Sequence, residues 1–148
     1  CLTLGSNRWQ GDKDSRDEGL STLYEKNLVA LIKQLRVQYN APKAKFVTAS
    51  LGQTVKRAAA EDGDARAQRP MGDGLILQAM LNVANATKYP EFAGNVAAVY
   101  THPLLAGPGA SGSHYGGNAE TYMNVGEAMG TAMVNLLKSD TSSSELGA

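Results

Sequence analysis

The chain has 148 residues, 14 Lys and Arg against 14 Asp and Glu, 43% hydrophobic residues and one cysteine. Zero formal net charge with interspersed signs excludes a nucleic-acid or polybasic membrane surface, because counterion release needs clustered Lys and Arg. No apolar run approaches the ~20 residues that cross a bilayer, and one cysteine supplies neither a disulfide framework nor a Cys-rich zinc site.

A chain of this size can bury roughly 70% of its unfolded surface, so it reads as one globular unit of domain size. Its 16 glycines exceed the roughly 7% of average usage and point to tight turns and close backbone approaches. Residue 1 is Cys1, and no basic stretch followed by an apolar one marks a targeting peptide; a processed lipoprotein or a piece of a longer protein would begin this way.

Leu2, Thr3 and Leu4 read as a strand that ends at the turn-prone Gly5-Ser6-Asn7, followed by the polar loop Trp9-Gln10-Gly11-Asp12-Lys13-Asp14. Thr22 and Glu25 have capping-box spacing, and Tyr24, Leu28, Leu31, Ile32, Leu35 and Tyr39 recur at three and four, which predicts an amphipathic helix ending at Asn40 and Pro42. Residues 45–51 (KFVTASL) predict a buried strand. Residues 52–72 read as a long polar connection, a class that is usually disordered or functional. Leu75, Ile76, Ala79, Met80 and Val83 predict a second helix, and residues 96–100 (VAAVY) a third strand.

Residues 107–117 (GPGASGSHYGG) predict a loop. Asn118 then serves as N-cap for a last helix with Tyr122, Val125, Met129, Met133 and Leu136 on one stripe. Interleaved Gly126, Ala128, Gly130 and Ala132 are expected to let this helix lie close to a sheet. Fraying is expected after Lys138, in a Ser-rich tail over 139–148. Alternating strands and helices predict an α/β fold with a mostly parallel sheet. Ligands of such folds sit at the carboxyl ends of the strands, where residues 7–14, 52–72 and 101–117 should meet.

Two histidines, His102 and His114, are available. His114 precedes a helix in a glycine-rich loop and reads either as a general acid/base or as an exposed loop residue. His102, followed by Pro103 at a strand end, reads as structural or as a support to a neighbouring site residue. Ser6, Ser111 and Ser113 are weak nucleophile candidates, since turn serines are common and Ser113, adjacent to His114, would point away from it. Asp12, Asp14 and Asp17 are either a solvated cluster at a helix start or the source of an acid that orients His114. The glycine-rich loop lacks the Gly-Lys-Ser/Thr or G-x-G-x-x-G pattern of a nucleotide site. His102, His114 and an Asp lack the single-helix spacing of a metal site, so no cofactor or metal is expected.

Trp9-Gln10-Gly11-Asp12-Lys13-Asp14, Tyr24-Glu25-Lys26-Asn27-Leu28-Val29, Tyr89-Pro90-Glu91-Phe92-Ala93-Gly94-Asn95-Val96 and His114-Tyr115-Gly116-Gly117-Asn118-Ala119-Glu120-Thr121-Tyr122, with Gly126-Glu127-Ala128-Met129-Gly130, together resemble the sialate O-acetylesterase domain. That domain is a carbohydrate esterase of the SGNH (GDSL-like) hydrolase superfamily, and the resemblance runs in order from about residue 8 to about residue 137. It implies a three-layer α/β/α, flavodoxin-like fold, and a serine hydrolase that cleaves acetyl esters on sugars outside the cytoplasm, secreted or periplasmic.

By the same resemblance Gln10 lies at the oxyanion site with Gly11 turning the backbone, and His114 is the base. Asp12, matching the acid of the W-x-Q-G-E/D block, is the acid, with Asp14 as the alternative. The pattern departs in three places. Ser111 stands where many superfamily members carry an acid three residues before the His, and Arg8 replaces an apolar or aromatic residue. The family's G-Q-S-N-like nucleophile motif belongs far upstream of the W-x-Q-G block, and Gly5-Ser6-Asn7 only echoes it. The chain therefore reads as the C-terminal portion of such a hydrolase, acting on an acetylated carbohydrate and lacking the nucleophile. The competing reading is a non-catalytic carbohydrate-binding or interaction module whose sheet is completed by the missing N-terminal half or another chain.

Overall fold

A computed structural model describes residues 5–54, 72–109 and 113–145. It is an α/β structure: three parallel strands, β1 (Gly5–Trp9), β2 (Lys45–Ala49) and β3 (Val96–Val99), lie in sequence order, with helices α1 (Asp12–Ser15), α2 (Glu18–Gln38), α3 (Gly72–Asn82) and α4 (Ala119–Glu145) around them. β1 pairs with β2 from Gly5↔Lys45 to Trp9↔Ala49, and β2 with β3 from Phe46↔Val96 to Ala49↔Val99.

β2 is buried along its whole length, as expected for a central parallel strand covered on both faces. Its alternation divides the core. Phe46 faces Tyr24, Leu28 and Ile32 of α2 and Ile76 and Met80 of α3, while Val47 and Ala49 face Val125, Met129 and Leu136 of α4. Each fully buried Ile, Met or Phe of this kind contributes about 1.5–3 kcal/mol relative to exposure.

The two longer helices, α3 and the second and third strands are present with shifted boundaries, whereas residues 12–15, expected to be loop, form the short helix α1. β1 runs through Gly5-Ser6-Asn7 instead of ending there, because pairing with β2 overrides the turn preference of those residues; Leu2, Thr3 and Leu4 lie outside the described residues. α2 starts a turn earlier than the Thr22–Glu25 box suggests. Asp17 is its N-cap, accepting from Leu20 N at 2.9 Å, and Thr22 Oγ1 donates back to Glu18 O inside the helix. Its end matches expectation, with Asn40 at φ 48° just beyond the last turn.

α4 is capped by Asn118, whose Oδ1 accepts from Thr121 N at 3.3 Å, and it runs through Glu145. Gly126 and Gly130 do not bring α4 close to the sheet: a Cβ at either would meet open space, and Ala128 and Ala132 lie nearer the protein. Close approach occurs elsewhere. A Cβ on Gly5 would sit 2.9 Å from Met133 Cε, and one on Gly72 would overlap the Ser15 carbonyl at 1.8 Å.

Candidate active site

The carboxyl end of β1 delivers Trp9, Gln10 and Gly11. Gly11 is buried with φ 141°, a conformation that side chains resist, and a Cβ there would meet Ile76 Cγ2 at 2.8 Å. This turn sends the chain directly into α1, so Asp12 stands at the first position of that short helix. Tyr24 fastens the turn by donating its hydroxyl to Gln10 O at 2.9 Å. Burial pushes the Tyr24 phenol up, Arg8 opposes that shift and the Asp14 charge adds to it.

The ends of β2 and β3 are joined through hydroxyls. Ser50 and Thr101 are fully buried; Thr101 Oγ1 donates to Ser50 O at 2.7 Å and Thr101 N to Ser50 Oγ at 3.0 Å. Trp9 Nε1 also donates to Ser50 O, at 3.0 Å, which brings all three strand ends to one carbonyl. His102 is held by a backbone carbonyl and a ring contact. Its Nδ1 lies 2.7 Å from Gly52 O and, since a carbonyl only accepts, carries the proton; its ring stacks on Tyr100 at 6.2 Å.

The glycine-rich segment is described at 107–109 and 113–117. Residues 113–117 form a tight turn in which His114 (φ 50°), Tyr115 (φ 54°) and Gly116 (φ 62°) are consecutively left-handed. For His114 and Tyr115 this costs about 1–2 kcal/mol each. Contacts that offset the cost converge on the turn. The Tyr115 ring is buried and stacks on Trp9 at 5.1 Å, with planes 15° apart, and its hydroxyl accepts from Gly52 N at 3.3 Å. Tyr122 packs edge-on against both rings at 5.6 and 5.7 Å and donates to His114 O at 3.2 Å. Burial pushes the Tyr115 phenol up, and nearby Tyr122 and Asp12 add to that shift against the hydrogen bond from Gly52.

Segments 7–14, 52–54, 101–109 and 113–117 therefore meet as the chain order predicts. Asp12 reaches the strand-end cluster from β1: its Oδ1 accepts from Gln53 Nε2 at 3.4 Å and its Oδ2 from Arg16 Nη2 at 2.7 Å. Gln10 and His114 are exposed at this end of the sheet. Asp17 caps α2 through its Oδ1. Ser6 lies at the other end of β1, in register with Phe46 and lining a cavity with Ala44 and Tyr39. Ser111 is outside the described residues, as are 55–71 of the long connection.

Trp9, Tyr115 and Tyr122, together with the Ser50–Thr101 pair, were not legible as parts of this site. The aromatic residues read locally as helix or loop positions, and only the alternation of β1 could have shown that Trp9 shares a face with α4. Among the described residues no group of three or more His, Cys, Asp or Glu is gathered as a metal cage, and no helix is long and apolar enough to cross a membrane. No protein-family model, curated protein or solved structure matches the chain.

Proposed function

We propose that the chain is the C-terminal portion of a carbohydrate O-acetylesterase of the SGNH type, holding the base, the acid and one oxyanion donor of a serine-hydrolase site. The observation that carries this reading is the Trp9–Tyr115 stack, which ties the Gln10-Gly11-Asp12 turn to the His114 loop at the carboxyl ends of three parallel strands. Helices on both faces of the sheet fit the three-layer α/β/α arrangement of that family. In this reading His114 takes the proton of an attacking serine, Asp12 orients the imidazole and stabilises its charged form, and the Gln10 amide donates to the developing oxyanion. Asp14 is the alternative acid.

The nucleophile comes from outside these residues, for Ser6 sits toward the amino end of the sheet. The substrate class is an acetylated sugar, and the setting is secreted or periplasmic. The second reading, a non-catalytic carbohydrate-binding or interaction module, draws on one observation: a three-stranded sheet with unpaired outer edges among the described residues.

The test compares the chain with a longer protein. The chain alone should neither hydrolyse p-nitrophenyl acetate in a His114-dependent manner nor label with a serine-directed phosphonate. A reading frame upstream of Cys1 should encode a G-x-S-N-like motif, and the longer protein should deacetylate sugars and lose that activity in His114→Ala. An upstream frame without such a serine, or a longer protein whose deacetylation ignores His114→Ala, would refute the esterase reading.

A further inference from the structure

Of the nine asparagines, Asn85 alone has a serine or threonine two residues on with no proline between, in Asn85-Ala86-Thr87. That is the acceptor pattern for an N-linked oligosaccharide, and three residues mean little without their local context. The structure supplies it. The segment lies in the turn after α3 and all three residues are exposed, whereas Val83 just before it is fully buried and Tyr89 just after it donates to Glu25. The turn is therefore held at both ends.

The Asn85 amide is oriented by its neighbours. Its Oδ1 accepts from Thr87 N at 2.9 Å and from Lys88 N at 3.4 Å; an atom facing two N–H donors is the oxygen, so Nδ2 is turned away from them, and it makes no hydrogen bond among the described residues. Asn82, Asn95 and Asn124 instead use their amide nitrogens on Glu25, on the Glu91 and Ala93 carbonyls and on the Leu104 carbonyl. The turn is also far from the candidate site. The 11 residues of α3 span roughly 16 Å. The chain beyond the turn reaches the start of β2, where Phe46 N donates to Asn95 O, so Asn85 lies toward the amino end of the sheet and Gln10, Asp12 and His114 lie at the carboxyl end.

We propose that Asn85 is an acceptor site for an N-linked oligosaccharide. The donor is a lipid-linked oligosaccharide pyrophosphate. Nδ2 forms a bond to the anomeric carbon, the bond from that carbon to the pyrophosphate oxygen breaks with its electron pair leaving on the lipid pyrophosphate, and Nδ2 gives up one proton to the transferase. The Thr87 hydroxyl is the group by which the transferase selects this asparagine. Transfer takes place on the chain before it folds, so the fold has only to leave room for the product, which an exposed turn with an unengaged Nδ2 does. The inference goes beyond the esterase reading and rests on it only for a setting outside the cytoplasm; it uses none of the residues assigned to the reaction.

The full chain, fused to a cleavable signal peptide, is translated into microsomal membranes and is also secreted from cultured eukaryotic cells. The expected product is heavier than the chain made without the signal, and peptide N-glycosidase removes the difference and leaves an aspartate at that position. Thr87→Ser keeps the glycan, whereas Thr87→Ala and Asn85→Gln abolish it. The microsomal measurement does not require folding, so a variant that is not secreted still reports. The secreted glycoprotein should melt no lower than its deglycosylated form. A translocated chain without a glycan overturns the proposal, as does a glycan that survives Asn85→Gln. A glycoprotein that melts below its deglycosylated form also overturns it, since the glycan would then press against the fold. None of these outcomes depends on His114 or on deacetylation by the longer protein, so the two readings fail separately.

Discussion

Trp9 and Tyr115 stack at 5.1 Å with planes 15° apart, and this contact joins the end of the first strand to a left-handed turn more than two thirds of the chain away. It explains why two non-glycine residues hold positive φ. The stack, the Gly52 N–H on the Tyr115 hydroxyl and the Tyr122 hydroxyl on His114 O together offset the backbone cost.

Tyr115 substitutions should therefore separate into two classes. Tyr115→Phe keeps the stack and loses one hydrogen bond, with an expected cost of about 1 kcal/mol. Tyr115→Ala removes the ring and should cost about 3–5 kcal/mol, in the range for large aromatic truncations. Urea denaturation measures both. Equal effects would show that the ring contact does not hold the turn.

Gly11→Ala should destabilise strongly despite its small size. The residue adopts φ 141°, and its new Cβ would stand 2.8 Å from Ile76 Cγ2, in a wall shared by α3 and Tyr24. A loss of about 1–3 kcal/mol is expected from the backbone alone. Thermal melting should show a clear drop, and an unchanged midpoint would mean that the turn relaxes freely.

Asp12 should matter for chemistry far more than for stability. Its ion pair with Arg16 is exposed, so Asp12→Asn should change folding stability by less than about 1 kcal/mol. In the longer hydrolase proposed above, loss of the orienting acid should lower kcat on the order of 10⁴-fold. Asp14→Asn is the comparison; if it alone abolishes activity, the two acids exchange roles.

The Glu25–Tyr89 contact predicts stability changes at both pH extremes. Tyr89 donates to Glu25 Oε1, which pushes its phenol from 10.0 up to about 12. The folded state then holds the proton more tightly than the unfolded chain, so this stabilisation is complete below pH 10 and lost as pH rises toward about 12. Burial alone would raise Glu25, but donation from Lys88, Tyr89 and Asn82 outweighs it and lowers its pKa. That contribution is present above the ordinary carboxylate pKa and disappears as pH falls through the lowered value. Tyr89→Phe should flatten the alkaline decline in a pH series of urea midpoints; an unaltered decline would assign it to other groups.

The sequence by itself determined the type and order of α2, α3, α4, β2 and β3, because helical spacing, apolar runs with β-branched residues and the Asn118 cap are local signals, but it did not show α1, which read as loop. It also determined that Gln10, Asp12 and His114 fall at strand carboxyl ends, since parallel strands joined by helices deliver alternate loops to the same edge. Only the tertiary structure decided where β1 lies. Gly5-Ser6-Asn7 prefers a turn locally, and pairing with β2 outweighs that preference.

Tertiary contacts likewise decided that Asp17, not Thr22, starts α2, and that Gly11 needs its glycine because of Ile76. They alone brought Trp9, Tyr115 and Tyr122 together, for nothing in the spacing of these residues encodes a contact between the first strand and the last loop. The exposed face of Gly126 and Gly130 was illegible for the same reason: periodicity places small residues on a helix, and only the position of the neighbouring sheet decides which of them it covers.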